Sequence, residues 1–197
     1  MTIFYKLGNK LYINITNRCP CDCIFCIRNF TNSVGEADNL WLEREPTLEE
    51  IKKAFDACNL TNIDEIVFCG YGEPMERAND VIEIAKYITK KTCLHVRLNT
   101  NGLVKLINPD FKIHDLSVIS SVSISLNADD AYEYKRLTNT RFGHYAFNSL
   151  LDFAKEAQFY THVILTVVEG TLSPERIQKC YELAKNLNLP LRVRSSI

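Results

Sequence analysis

The chain has 197 residues with 23 Lys+Arg against 24 Asp+Glu, a formal net charge of −1 that excludes a strongly basic nucleic-acid binder and a charge-rich disordered tail. Hydrophobic residues make up 46% and charged residues 24%, the mix of a globular domain with one sizeable core. Eight cysteines fall short of the roughly 8–10% of a disulfide scaffold, and no stretch approaches the roughly 18 consecutive apolar residues of a membrane span, so the expectation is a soluble, cytoplasmic protein whose clustered thiols are metal ligands or redox groups.

In chain order, β-branched or alternating runs predict strands over 10–15, 65–69, 95–99, 122–126, 162–168 and 191–193. Helices are predicted between them. Thr47 with Glu50 forms a capping box opening 48–57, and Val81, Ile82, Ala85 and Ile88 make an apolar stripe at helical spacing. The pattern recurs over 145–158 and over 174–187, the latter with Ser173 as N-cap and Pro174 at the first helical position. Strands separated by helices cannot pair as hairpins, so the expected fold is α/β, a partial, open parallel β/α barrel of about six strands. Chemistry in such barrels sits on the loops leaving the carboxyl ends of the strands.

After the first predicted strand, residues 16–26 read TNRCPCDCIFC. Cys19, Cys23 and Cys26 have the spacing Cys-x3-Cys-x2-Cys, close enough in one loop for three thiolates to hold three irons of a cubane cluster and leave the fourth iron open. The alternative adds Cys21 and reads a structural zinc site, although four ligands so close together would staple almost nothing.

After the second strand comes FCGYGEP over 68–74. A dinucleotide fingerprint fails here, because Met75 stands where a third glycine is needed and Pro74 interrupts the helix start. Gly70 and Gly72 instead permit unusual dihedrals, so that carbonyl oxygens and the Glu73 carboxylate point at a cation or an ammonium group; a plain tight turn is the alternative. After the third strand, residues 99–102 read Asn-Thr-Asn-Gly, a common turn signal. In the fourth, Ser123, Ser125 and Asn127 alternate with Val122, Ile124 and Leu126, which places the polar set toward the lumen.

The same period of two puts Asn14, Thr16, Arg97, Asn99, Ser123, Ser125, Thr166, Arg192 and Arg194 on the lumen face. Guanidinium groups at Arg97, Arg192 and Arg194 suggest an anionic substrate, the alternative being pairing with lumen acids or solvent. Cys58, Cys93 and Cys180 read as small buried residues. Trp41 either covers the cysteine loop or staples it from beneath.

Taken together, these motifs resemble the radical SAM superfamily, enzymes that bind S-adenosylmethionine at the open iron of a 4Fe-4S cluster, and the resemblance covers nearly the whole chain. It implies that Cys19, Cys23 and Cys26 hold the cluster, that Cys21 stays off it, and that Phe25 lies near the adenine. It further implies that the loop of Gly70, Tyr71, Gly72 and Glu73 holds the methionine amino group, with Tyr71 departing from the family's first glycine. Asn99 belongs to the family's Asn/Asp-Thr-Asn-Gly strand end, and Ser125 and Asn127 correspond to polar positions facing the ribose, or else are hydroxyl and amide groups satisfied by water. One lumen arginine is alternatively taken up by the methionine carboxylate.

The combination of FCGYGEP, RLNTNG and SISLNA looks most like the small TatD-associated radical SAM family. The implied organisation is a single radical SAM domain over 1–197 with its cluster loop at 16–30. The implied reaction is reductive cleavage of S-adenosylmethionine to a 5′-deoxyadenosyl radical that abstracts a substrate hydrogen. The implied partners are a flavodoxin- or ferredoxin-type electron donor and a functional link to a TatD-like nuclease. An ending at Ile197, after the sixth strand, is expected to leave the barrel mouth uncovered, for a large substrate or a partner to complete. Two other readings stay open: an activase that makes a radical on a partner protein, and a non-catalytic zinc or redox-sensing module.

Overall fold

The computed structural model describes residues 1–37 and 39–195; Asp38, Ser196 and Ile197, with the expectation attached to the chain end, lie outside the described residues. The sheet opens with a hairpin of β1 (Phe4–Leu7) and β2 (Lys10–Ile13), paired antiparallel. Gly8, at a φ of +61°, begins its two-residue turn, as a tight hairpin of this length requires. From β2 onward every pairing is parallel, through β3 (Glu65–Phe68), β4 (His95–Thr100), β5 (Ser121–Ser125), β6 (His162–Val168) and β7 (Leu191–Arg194).

The seven strands lie in sequence order, with β1 and β7 at the two edges. The expectation of about six parallel strands therefore missed β1. Its signal was present in two short alternating runs separated by Gly8-Asn9.

The helices are α1 (Leu48–Asp56), α2 (Ala78–Lys91), α3 (Val104–Ile107), α4 (Ala131–Thr138), α5 (Tyr145–Ala157) and α6 (Pro174–Asn186). The capping box of Thr47 with Glu50 is formed, and the Ser173 side chain accepts from the Arg176 backbone. Two helices, α3 and α4, were not predicted. For α4 a signal existed, since the Asp130 side chain accepts from the Glu133 backbone in an ordinary N-cap. No described helix is long and apolar enough to cross a membrane.

The core lies between the sheet and its helices. One face of the strands contributes Ile66, Phe68, Leu98, Val122, Ile124 and Leu165, all fully buried, against Val81, Ala85 and Ile88 of α2 and Leu150 and Phe153 of α5. Alternation then sends the other residues of each strand to the opposite, concave side, where polar groups collect. Cys180 is buried as expected, but Cys93 is exposed, because it follows α2 on the loop into β4.

Phe153, 1% exposed in the core, and Phe159, 79% exposed, make a matched pair for chemical denaturation. Phe153→Ala is expected to cost about 3–5 kcal/mol, and Phe159→Ala to stay within about 0.5 kcal/mol of the parent.

Candidate active site

The cysteine loop leaves β2 and is tied down on two sides. On one side, the Asn14 side-chain amide donates to the Leu40 carbonyl at 2.7 Å and the Thr16 hydroxyl to Glu45 at 2.5 Å. Asn14 and Thr16, expected in the lumen, thus serve to anchor the loop. The strand ends at Ile13, so alternation no longer decides where they point. On the other side the loop docks along the end of α4: Asp22 N–H donates to Thr138 O at 2.9 Å, Ile24 N–H to Leu137 O at 3.0 Å, and Arg141 N–H to Pro20 O at 3.0 Å. Within it, Cys26 N–H donates to Cys23 O at 3.0 Å and Arg28 to Cys21 O at 3.2 Å.

Cys19, Cys23 and Cys26 are half-buried in the wall of one cavity of about 890 Å³, while Cys21 is buried beside them with Asn101 Nδ2 3.9 Å from its sulfur. The Cys19 thiol is held far above its ordinary value by its hydrogen bond with Cys21, by burial and by the nearby Glu73 carboxylate. Cys21 is pushed up to about 12, a hydrogen bond with Cys19 pulling down while one with Cys23 and burial push up. Burial raises Cys26. Thiols so placed ionise when a metal supplies the positive charge. Among the described residues no three His, Cys, Asp or Glu side chains surround a point as ligands of a single metal ion. In a cubane each cysteine binds a different iron, so a donor set of three sulfurs from one short loop facing a common cavity fits such a cluster.

Glu73 joins this loop to the next two. Its backbone N–H donates to Arg18 O at 2.8 Å. Its carboxylate is 5% exposed and accepts from Thr100 Oγ1 at 2.7 Å, Asn101 N–H at 2.7 Å and Met75 N–H at 3.0 Å. Of about four acceptor positions on a carboxylate, three are filled. Burial lifts the group to about 7 despite these three bonds. Gly70 and Gly72 have ordinary negative-side dihedrals, contrary to expectation; close approach is what requires them. A Cβ on Gly72 would lie 2.3 Å from Thr16 O, and one on Gly70 2.1 Å from Asn14 Oδ1.

Tyr71 turns into a second apolar cluster with Tyr5, Val34, Ala37 and Leu40. Its hydroxyl donates to Thr31 O, and its ring meets Trp41 edge-on at 5.1 Å. Trp41 in turn donates from its indole to Asn32 at 3.1 Å. The two rings thus brace the segment after the cysteine loop against the glycine loop.

The lumen strands complete the cavity. Its walls include Phe25, Gly70, Tyr71, Gly72 and Glu73 from the loops, and Asn99, Ser125 and Asn127 from the strand ends, together with all three arginines. Arg97 is already committed: it grips Glu65 in two bonds of 2.9 and 3.0 Å and donates to Asn99 Oδ1 at 2.7 Å. This is the pairing with a lumen acid that sequence left open, and it removes Arg97 from the free cations. Arg192 is exposed and Arg194 half-buried, with no carboxylate within ion-pair distance among the described residues. Ser123 Oγ, Asn127 Oδ1 and Tyr134 Oη are buried on this cavity without a hydrogen-bond partner among the described residues, an arrangement that a polar ligand would satisfy.

Three cavity residues were not singled out from sequence. Cys69 continues the lumen parity of β3 and could have been found by counting in twos; burial pushes its thiol up and a hydrogen bond with Asn99 pulls it down. Ser123 was placed in the lumen without a role. Tyr134 comes from α4, a helix that was itself missed.

The model of the radical SAM superfamily matches residues 13–184. The probable dual-specificity RNA methyltransferase RlmN of Clostridium acetobutylicum is 26% identical over 162 residues, covering 80% of this chain and 44% of that protein. The probable GTP 3',8-cyclase of Methanocaldococcus jannaschii is 32% identical over 141 residues, covering 70% and 43%. Both relatives are enzymes, and the chain spans less than half the length of either. Among solved structures, Streptococcus suis SuiB bound to S-adenosylmethionine superposes with a TM-score of 0.72 at 15% identity over 97% of this chain and 41% of that one. Native anSMEcpe with bound AdoMet gives 0.63 at 18% over 94% and 50%. These two likenesses concern the fold. With the family match running across the barrel from β2 to α6, the chain belongs to the radical SAM superfamily.

Proposed function

We propose that the cavity is the reaction chamber of a radical SAM enzyme in which Cys19, Cys23 and Cys26 hold a 4Fe-4S cluster and the loop of Gly70, Tyr71, Gly72 and Glu73 seats S-adenosylmethionine. The supporting observation is convergence: three thiols, a buried carboxylate with an acceptor position to spare, and three unsatisfied buried polar atoms face one cavity at the carboxyl ends of the strands. When bound, the cluster and S-adenosylmethionine supply one electron and a sulfonium whose cleavage gives a 5′-deoxyadenosyl radical that takes a hydrogen atom from the substrate.

The chain's own residues bind, orient and shield. Three cysteines for four irons would leave one corner open for the cofactor. Glu73 would accept from the cofactor's amino group in its fourth position, and Gly72 lets that loop lie against the cysteine loop, which would fix the cofactor relative to the cluster. Phe25 would lie near the adenine and Ser125 and Asn127 would face the ribose hydroxyls, with Asn99 at the strand end beside them. Asn127, at a φ of +56° and 4% exposed, holds a left-handed backbone that aims its side chain from the end of β5. Cys21 stays off the cluster and packs under the loop.

The reading extends to the whole chain as one domain acting in the cytoplasm with a flavodoxin- or ferredoxin-type donor. The motifs FCGYGEP, RLNTNG and SISLNA favour the TatD-associated radical SAM family within the superfamily, and with it a functional link to a TatD-like nuclease.

Anaerobic reconstitution tests the proposal. The chain is expected to take up about four irons and, after dithionite reduction, to release 5′-deoxyadenosine; iron uptake without that product would remove the reading. Cys23→Ala is expected to lose the cluster's absorption and Cys21→Ala to keep it. In Glu73→Gln, an amide N–H confronts the Asn101 N–H, so stability should fall by about 1–3 kcal/mol. Affinity for S-adenosylmethionine, measured by equilibrium dialysis on folded variant with its iron intact, should fall tenfold or more.

A further inference from the structure

The charged groups on the cavity wall are unevenly matched. Lys10 and Arg97 both pair with Glu65, at 3.0 and 2.9 Å, and Arg136 with Glu133 at 2.6 Å. Glu73 is held by neutral donors, and Glu169 is exposed at the rim. The cations left without an acid among the described residues are Arg192 and Arg194, two positions apart on one face of β7. Alternation puts both on the lumen side while Leu191 and Val193 face the helices.

Register places them relative to the hydroxyls of β5. Arg192 pairs with Thr166, which pairs with Ser125, so these three stand in one row across β5, β6 and β7; Arg194 stands opposite Val168. Thr166 already donates its hydroxyl proton to Ile124 O at 3.3 Å. Ser123, one lumen position before Ser125, is 4% exposed and its Oγ has no partner among the described residues. Burial and the like charge of Arg192 push Arg194 below its ordinary value, against the pull of the Cys69, Cys23 and Cys26 sulfurs. A half-buried cation costs free energy until an anion meets it.

We propose that Arg192 and Arg194 form a subsite for a phosphate-type oxyanion carried by the substrate. Two guanidinium forks match the charge and the oxygen geometry of a phosphate better than those of a single carboxylate. In sheet order β4, β5 and β6 lie between β7 and the Glu73 loop after β3, although Arg194 feels Cys69, Cys23 and Cys26 across the lumen. The methionine carboxylate of the cofactor shares a carbon with its ammonium and therefore belongs near Glu73. The assignment rests on the reading of the cavity as a radical SAM chamber, and it adds the chemical class of what that chamber receives.

The test uses the anaerobically reconstituted chain, with inorganic phosphate and pyrophosphate as probes in titration calorimetry at about 0.15 M salt, where screening suppresses surface attraction. Pyrophosphate is expected to bind, and Arg194→Met and Arg192→Met each to weaken it tenfold or more, with S-adenosylmethionine affinity within twofold of the parent. Arg192 is exposed, so its variant tests the subsite even if Arg194→Met fails to fold. Failure of both anions to bind, or unchanged binding in folded Arg192→Met, would overturn the subsite. So would a tenfold loss of S-adenosylmethionine affinity in Arg194→Met, which would give these arginines to the cofactor carboxylate. Anion binding that depends on the arginines without any release of 5′-deoxyadenosine would instead sink the radical reading alone.

Discussion

The buried carboxylate of Glu73 ties together the three loops on which the cavity depends. Its backbone holds the cysteine loop through Arg18 O, and its two oxygens hold the end of β4 through Thr100 and Asn101. Taking a carboxylate out of water costs several kcal/mol, and the lift of Glu73 to about 7 shows that its three hydrogen bonds offset only part of that cost. The remaining imbalance favours a cation beside it.

Close backbone contact is the second constraint. Gly72 lies where a methyl group would meet the carbonyls of Thr16 and Arg18, so the glycine and cysteine loops can share a wall only without a side chain there. Tyr71, where the family resemblance leads one to expect glycine, is accommodated because its ring leaves the cavity side for the cluster with Trp41, Tyr5 and Leu40. The departure braces the loop from behind and leaves the backbone approach intact.

The lumen divides by charge. Lys10, Glu65 and Arg97 form a paired group on β2, β3 and β4, in which burial would raise Glu65 but the two cations hold it below its ordinary value. A closed network of this kind fixes the barrel floor and offers little to a ligand. The far edge, at β7, holds cations without such partners among the described residues. The same residue type thus has opposite meanings at positions 97 and 194, and the difference is made by which strand lies next door.

Sequence alone determined the alternation of strands and helices from residue 10 onward, the lumen parity of Arg97, Asn99, Ser123, Ser125, Arg192 and Arg194, and the three-cysteine loop, because each is written in local spacing that the backbone must obey. It did not reveal α4, whose carbonyls carry the cysteine loop, nor the use of Asn14 and Thr16 as anchors once the strand had ended. Only the tertiary structure decided that Gly70 and Gly72 are needed for proximity rather than for dihedral freedom and, among the described residues, that Arg97 is neutralised by Glu65 while Arg192 and Arg194 are not and that Ser123, Asn127 and Tyr134 keep unsatisfied atoms on one cavity. Those facts depend on segments distant in sequence meeting in space, and no periodicity within a segment encodes which distant neighbour it will meet.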